Sequence, residues 1–247
     1  MRWTTPSMAG FTYSLGNSLY IPLTSRCQSL TLPQTRGPGF RLPPSVVAAL
    51  CRVRDAEAGT VRWDPWCRWL DMQDAPQRLP DPLERVSSLP DDNDRRPTAA
   101  ELLEEITQSN IEQYTQIVLA GEGEPTLRMS VLQQITKTLA QTHAPKIRVV
   151  TNGLSTSCDA QQLVDSGVTS LSVALLSGDP SQYEEWMQPM ESGGHERVVS
   201  FVRSAIQVGL DVEITAVERD TLHRDRLQTL VTDLGVQRPV RWRPYFP

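Results

Sequence analysis

The sequence predicts an α/β fold built on a parallel sheet. Two observations carry this. Six short apolar runs have strand character, and amphipathic helical segments fill the gaps between them. Such alternation implies parallel strands joined by right-handed crossovers. Six units suit either a partial barrel or an open sheet, and periodicity alone leaves both open.

Taken in order, residues 13–27 read as a strand, centred on 19–24, running into a loop that begins at Cys27. The second strand is 116–120 (QIVLA), a short apolar run ending at glycine. Runs at 147–151 (IRVVT), 171–176 (LSVALL), 212–217 (VEITAV) and 240–243 (VRWR) complete the six. Thr98 and Glu101 form a Thr-x-x-Glu capping box, which opens a helix carrying Leu102, Leu103 and Ile106. Val131, Leu132, Ile135 and Leu139 share one helical face. Val198, Phe201, Val202 and Ala205 share another, stopped by Gly209. Leu227, Leu230, Val231 and Leu234 make the last, stopped by Gly235.

The stretch 36–96 breaks this rhythm and reads as an insertion after the first strand, far longer than the ~2–6 residues usual for such connections. Residues 43–54 look helical, with prolines at the start and Val46, Val47, Leu50 and Cys51 on one face. Trp63, Trp66 and Trp69 follow at intervals of three. They are expected to pack the 43–54 segment as a lid over the mouth of the barrel, if one forms, with an exposed partner-binding patch as the competing account. Residues 73–96 are rich in Pro and Asp and read as a mobile linker.

A length of 247 residues favours one domain over 1–247. A mean hydropathy of -0.34 with 39% hydrophobic residues suits a protein in water. The formal net charge of -5 and a pI near 5.3, without basic clusters, argue against nucleic-acid binding. No apolar run nears the ~20 residues of a membrane span, and no signal peptide is evident. Four cysteines (Cys27, Cys51, Cys67, Cys158) lie far apart with no C-x-x-C pair, so a reducing cytoplasm is expected.

Three loops at strand ends could carry chemistry. Gly121-Glu122-Gly123-Glu124-Pro125-Thr126 follows the second strand. Its glycines let backbone approach a ligand, and Glu124 supplies an acceptor; a plain turn would look the same. Thr151-Asn152-Gly153 follows the third, where Asn152 could bond a ribose or carboxylate or simply form an αL turn. Ser172 opens the segment that runs through Ala174 and Leu176 to Ser177, Asp179, Pro180 and a helix with Tyr183, Glu184 and Glu185. Arg36, among Pro33, Gly37, Pro38 and Gly39, is a candidate contact for a carboxylate or phosphate, weighed against a surface arginine in a turn. The three histidines, His143, His195 and His223, show no ligand spacing; His143 and His223 are expected at helix ends.

These segments, in this order, resemble radical SAM proteins, most closely the TatD-associated branch. The likeness covers residues 13–26 and 97–243 and leaves the insertion without a counterpart. It implies a partial (βα)6 TIM-type barrel. It also implies that Gly121, Gly123, Glu124, Asn152 and Ser172 stand where relatives hold S-adenosylmethionine. In the family the first loop carries C-x3-C-x2-C, whose three thiolates hold a 4Fe–4S cluster with one iron open. Here those positions are Cys27, Thr31 and Gln34, and neutral oxygens do not suit iron in a sulfide cluster. Ala174 and Leu176 stand where relatives usually have Ser and Asn.

The chain therefore reads as a degenerate homologue without a cluster, binding S-adenosylmethionine weakly if at all. It would serve as a small-ligand-binding or regulatory protein, with a small molecule or protein as partner and neither nucleic acid nor membrane. The competing reading is a radical SAM oxidoreductase with unusual cluster ligands, Cys27 joined by Cys51, Cys67 or another subunit. A third is a non-redox barrel enzyme using Arg36 and Glu124.

Overall fold

A computed structural model describes residues 10–58, 96–142, 146–156 and 158–247. Seven strands make one sheet in chain order, β1 (Tyr13–Leu15), β2 (Ser18–Ile21), β3 (Gln116–Leu119), β4 (Lys146–Thr151), β5 (Ser170–Ala174), β6 (Asp211–Glu218) and β7 (Arg241–Pro244). β1 pairs antiparallel with β2, and every later pairing is parallel. The order never reverses, so the sheet has no switch point. It curls into a half-barrel with helices on its outer face. This is the α/β partial barrel the sequence implied.

All six expected strands are present, with ends shifted by a few residues. The first needed correction. Residues 13–27 are not one strand, because the chain reverses at Gly16-Asn17 and pairs Leu15 with Ser18. Gly16 sits at φ +57°, which fits the first central position of a two-residue hairpin turn. β2 then stops at Pro22, which has no N–H to donate to the ladder.

The helices that follow the insertion bury their apolar stripes against the convex face. α1 (Leu32–Thr35) is one turn in the loop after β2, and α2 (Pro44–Ala58) is the expected helix of the insertion. α3 (Ala99–Gln108) begins at the predicted capping box. Thr98 Oγ1 accepts from the Glu101 N–H at 3.2 Å, and Glu101 Oε2 accepts from the Thr98 N–H at 2.8 Å. α4 (Met129–Gln141), α5 (Ala160–Asp165), α6 (Pro180–Met187), α7 (Gly194–Gln207) and α8 (Arg224–Asp233) complete the set. Gly209 and Gly235 stop α7 and α8 with positive φ, as their positions after the apolar stripes required. His223 stands at the N-terminal end of α8, as expected, without a side-chain capping bond.

Strand residues alternate between two faces. Leu19, Ile21, Ile117, Leu119, Val149, Leu171, Val173 and Ile214 point outward and join the main core with Leu102, Ile135, Leu163, Val198 and Leu227. The other face lines the hollow of the half-barrel and carries Tyr20, Arg148, Ser172, Thr215, Arg241 and Arg243. α2 forms a second, smaller core of Val46 and Leu50, packed against Tyr13 of β1 and Leu42. It covers the hairpin at the edge of the sheet. Among the described residues, no helix is long and apolar enough to cross a membrane. The tryptophans at 63, 66 and 69, Cys67, His143 and the linker 73–95 lie outside the described residues.

Candidate functional site

The loops after β2, β3 and β4 meet at the C-terminal edge of the sheet, where parallel sheets bind ligands. Their meeting point is Asn152. Its Nδ2 lies 3.3 Å from Cys27 Sγ, 3.4 Å from Gln28 Oε1 and 3.3 Å from Ser29 Oγ, and its Oδ1 accepts from the Leu154 N–H at 2.9 Å. One buried amide thus holds the Cys27 loop and shapes its own turn. Gly153 sits at φ +69°, the left-handed conformation read from the sequence.

Glu124 is buried beneath this contact. Its Oε1 accepts from the Thr126 N–H (3.0 Å), Thr126 Oγ1 (2.6 Å) and Thr151 Oγ1 (2.9 Å), and its Oε2 accepts from the Asn152 N–H (2.7 Å). Four protein donors engage the carboxylate, which ties β3 to β4. Burial nonetheless pushes its pKa upward, with the four donors opposing the shift. Gly121 and Gly123 also meet protein. A Cβ on Gly123 would stand 2.4 Å from the Arg26 carbonyl oxygen, and one on Gly121 would stand 2.6 Å from Pro22 Cβ. Gly123 N donates to Thr24 O, and Glu124 N to Arg26 O at 2.7 Å. The glycines therefore let the loops after β2 and β3 touch, backbone against backbone.

The first loop is equally constrained. Thr31 and Gln34, at the second and third positions of the cysteine pattern, are bonded to one another. Gln34 Oε1 accepts from the Thr31 N–H at 2.7 Å and from Thr31 Oγ1 at 2.9 Å, reaching back across the first turn of α1. Leu30 N donates to Met187 O, and Met190 N to Gln28 O, so the loop is also stitched to the end of α6. Cys27 is 7% exposed, and burial and nearby Glu124 push its thiol up to about 11. A cluster needs thiolates. One thiol and a hydrogen-bonded Thr–Gln pair offer a single sulfur donor where three thiolates hold a 4Fe–4S cluster of this kind, so these residues do not fit one. Cys51 packs beside the small α2 core, and Cys158 is half-buried with its thiol raised to about 12 by burial. No three His, Cys, Asp or Glu side chains among the described residues converge as metal ligands.

Two cavities meet at Gly121 beside this junction. The smaller, about 40 Å³, lies between Cys27, Thr31, Gly121, Glu124, Thr151 and Ala174, and has room for little more than water. The larger, about 430 Å³, is the hollow of the half-barrel. They share Leu32, Ala120, Gly121 and Val150 as walls. Gly121, Gly123, Glu124, Asn152 and Cys27 are thus brought together. Ser172 is not with them: it faces the larger hollow and lies 3.2 Å from Thr215 Oγ1. Arg36 also lines the hollow, its guanidinium 4.0 Å from the Phe40 ring centre and 5.1 Å from that of Phe246. The C-terminal tail straps this loop in place, with Phe246 N donating to Arg36 O at 2.8 Å. Arg148, Glu213, Arg241 and Arg243 were not singled out from the sequence. The signal was their alternation within β4, β6 and β7, which sets each on the inner face.

No family model matches the chain. Its curated relatives include the GTP 3′,8-cyclase of Bradyrhizobium diazoefficiens, 29% identical over 115 residues, which is 44% of this chain and 32% of the relative. A probable GTP 3′,8-cyclase of Methanococcus maripaludis is 31% identical over 113 residues, 45% of this chain and 36% of the relative. The chain thus spans about a third of the length of the curated relatives it matches. Streptococcus suis SuiB bound to its precursor peptide SuiA superposes with a TM-score of 0.51 at 18% identity, over 61% of this chain and 33% of SuiB. TYW1 with a lysine-pyruvate adduct bound gives 0.50 at 13%, over 94% and 65%. The structures establish the fold. Together with the sequence relatives they support a place in the radical SAM superfamily, as the ordered motifs suggested.

Proposed function

We propose that this chain, kin to the radical SAM enzymes, is a degenerate homologue that binds a small ligand in a regulatory role and does not cleave S-adenosylmethionine. One observation carries the reading: Thr31 and Gln34 occupy the cluster positions and are bonded to each other. Losing two of three thiolates removes the ligand set of the cluster. Ala174 and Leu176, both buried where polar groups would otherwise face a ligand, point the same way. The glycine-rich loop and Glu124 are engaged by protein partners. The hollow of about 430 Å³ is of the size that small-molecule sites usually have, ~300–1,000 Å³.

Anaerobic incubation of the protein with S-adenosylmethionine and dithionite tests this. No 5′-deoxyadenosine should form above the protein-free control. Calorimetry should give S-adenosylmethionine a Kd on the order of 0.1–1 mM or weaker, since a metal chelate and two hydrogen bonds are missing. Turnover, or micromolar affinity, would contradict the reading.

A further inference from the structure

The hollow of the half-barrel has an unusual charge balance for this chain. The sequence as a whole carries a net charge of -5. The walls of the hollow, among the described residues, include Arg36, Arg148, Arg241 and Arg243 and no acidic side chain. Glu213, on the same inner face of β6, is already engaged. Its Oε2 takes Arg148 at 3.1 Å, and its Oε1 takes Arg241 at 3.4 Å. One carboxylate thus serves two guanidiniums, and two more remain.

Those two have free forks. Arg243 makes no hydrogen bond or ion pair among the described residues. Burial, then repulsion from Arg241 and Arg36, pulls its pKa below the usual arginine value, opposed by Glu213 and Tyr20. Arg36 is held flat by Phe40 and Phe246 and spends only its Nε, on Pro244 O at 3.3 Å. Its two terminal nitrogens make no hydrogen bond among the described residues. Like charges gathered in a partly buried hollow cost free energy unless something negative joins them. A planar guanidinium with a free fork matches two oxygens of a phosphoryl or carboxylate group. Tyr20, Ser172 and Thr215 add hydroxyls on the same wall.

We propose that the hollow is a binding site for a small polyanion, a molecule bearing a phosphoryl group or paired carboxylates, gripped by Arg36 and Arg243 with Arg241 beside them. This deepens the ligand-binding reading and rests on it for its biological sense, but its test is independent of iron. The site adjoins the Cys27–Glu124–Asn152 junction through the shared wall at Gly121, so an anion there could bias the packing of the three loops.

The test is calorimetric titration of the full chain, shown metal-free, at low ionic strength with pyrophosphate and, separately, with citrate. At least one should bind with a Kd below ~1 mM, and the tighter arm identifies the phosphoryl or the carboxylate source. Arg243→Met should weaken that binding at least about tenfold, and Arg243→Lys, which keeps the charge and the fold but loses the fork, about threefold to tenfold. Arg238→Met serves as the control, because Arg238 pairs with Asp211 outside the hollow; it should leave the affinity unchanged. Failure of both anions to bind with a Kd below ~1 mM, or equal binding by wild type and both Arg243 variants, overturns the proposal. An intact iron–sulfur cluster in the same protein would instead sink the degenerate-homologue reading and leave the anion site standing.

Discussion

Cys27 and Asn152 show how single residues set the chemistry of this junction. The Cys27 thiol sits in protein contacts, accepting from Asn152 Nδ2 and bonded to Ser29 Oγ, while burial suppresses its ionisation. Raising a thiol from its ordinary 9.0 to about 11 cuts the thiolate fraction at pH 8 roughly 100-fold. Native Cys27 should therefore react with iodoacetamide at least about 100-fold more slowly than the same cysteine in urea, read by mass spectrometry of its peptide. The raised pKa also stabilises the fold below pH 9, and this contribution is lost as pH rises from 9.0 to about 11. Cys27→Ala should flatten that alkaline limb of the unfolding profile. Asn152→Ala removes a buried amide that serves two loops, and should cost about 1–3 kcal/mol in denaturant unfolding.

Between elements, the loops are joined by close approach more than by side-chain burial. Gly123→Ala would place a methyl 2.4 Å from the Arg26 carbonyl and force the β2 and β3 loops apart. The expected loss is about 1–3 kcal/mol, with a fall in Tm of several degrees. Gln34→Ala should cost less, about 0.5–2 kcal/mol, because it removes only the two Thr31 bonds that close the first turn of α1. α2 depends on burial instead. Val46 and Leu50 seat it against the β1–β2 hairpin, and Leu50→Ala should speed amide exchange throughout α2 while leaving β4 to β6 protected.

Across the whole molecule, what the sequence made legible follows from periodicity. Runs such as 147–151 and 171–176, with helices stopped at Gly209 and Gly235, were enough to set six parallel strands in order. The Thr98 capping box marked the start of α3 to the residue. The Gly16-Asn17 reversal was missed because β1 is three residues long and mostly exposed, so its apolar signal is weak. The lumen arginines were missed for a different reason. Arg148, Arg241 and Arg243 alternate with apolar neighbours as on any sheet with one wet face. Only the curl of the sheet turns that face into an enclosed hollow, and curl is a property of all seven strands together. Glu124 was legible as an acceptor at a strand end, though not as a buried one. That four internal donors would fill it depended on how β3 and β4 meet, which no local pattern encodes.

The most direct test of the degenerate-homologue account is anaerobic reconstitution with iron and sulfide, followed by metal and sulfide analysis and an absorbance spectrum. The account predicts substoichiometric iron and sulfide and no broad band near ~400 nm, with Cys27→Ala indistinguishable from wild type. About four irons and four sulfides per chain, with a band that disappears in Cys27→Ala, would contradict it and return the protein to the cluster-bearing enzymes.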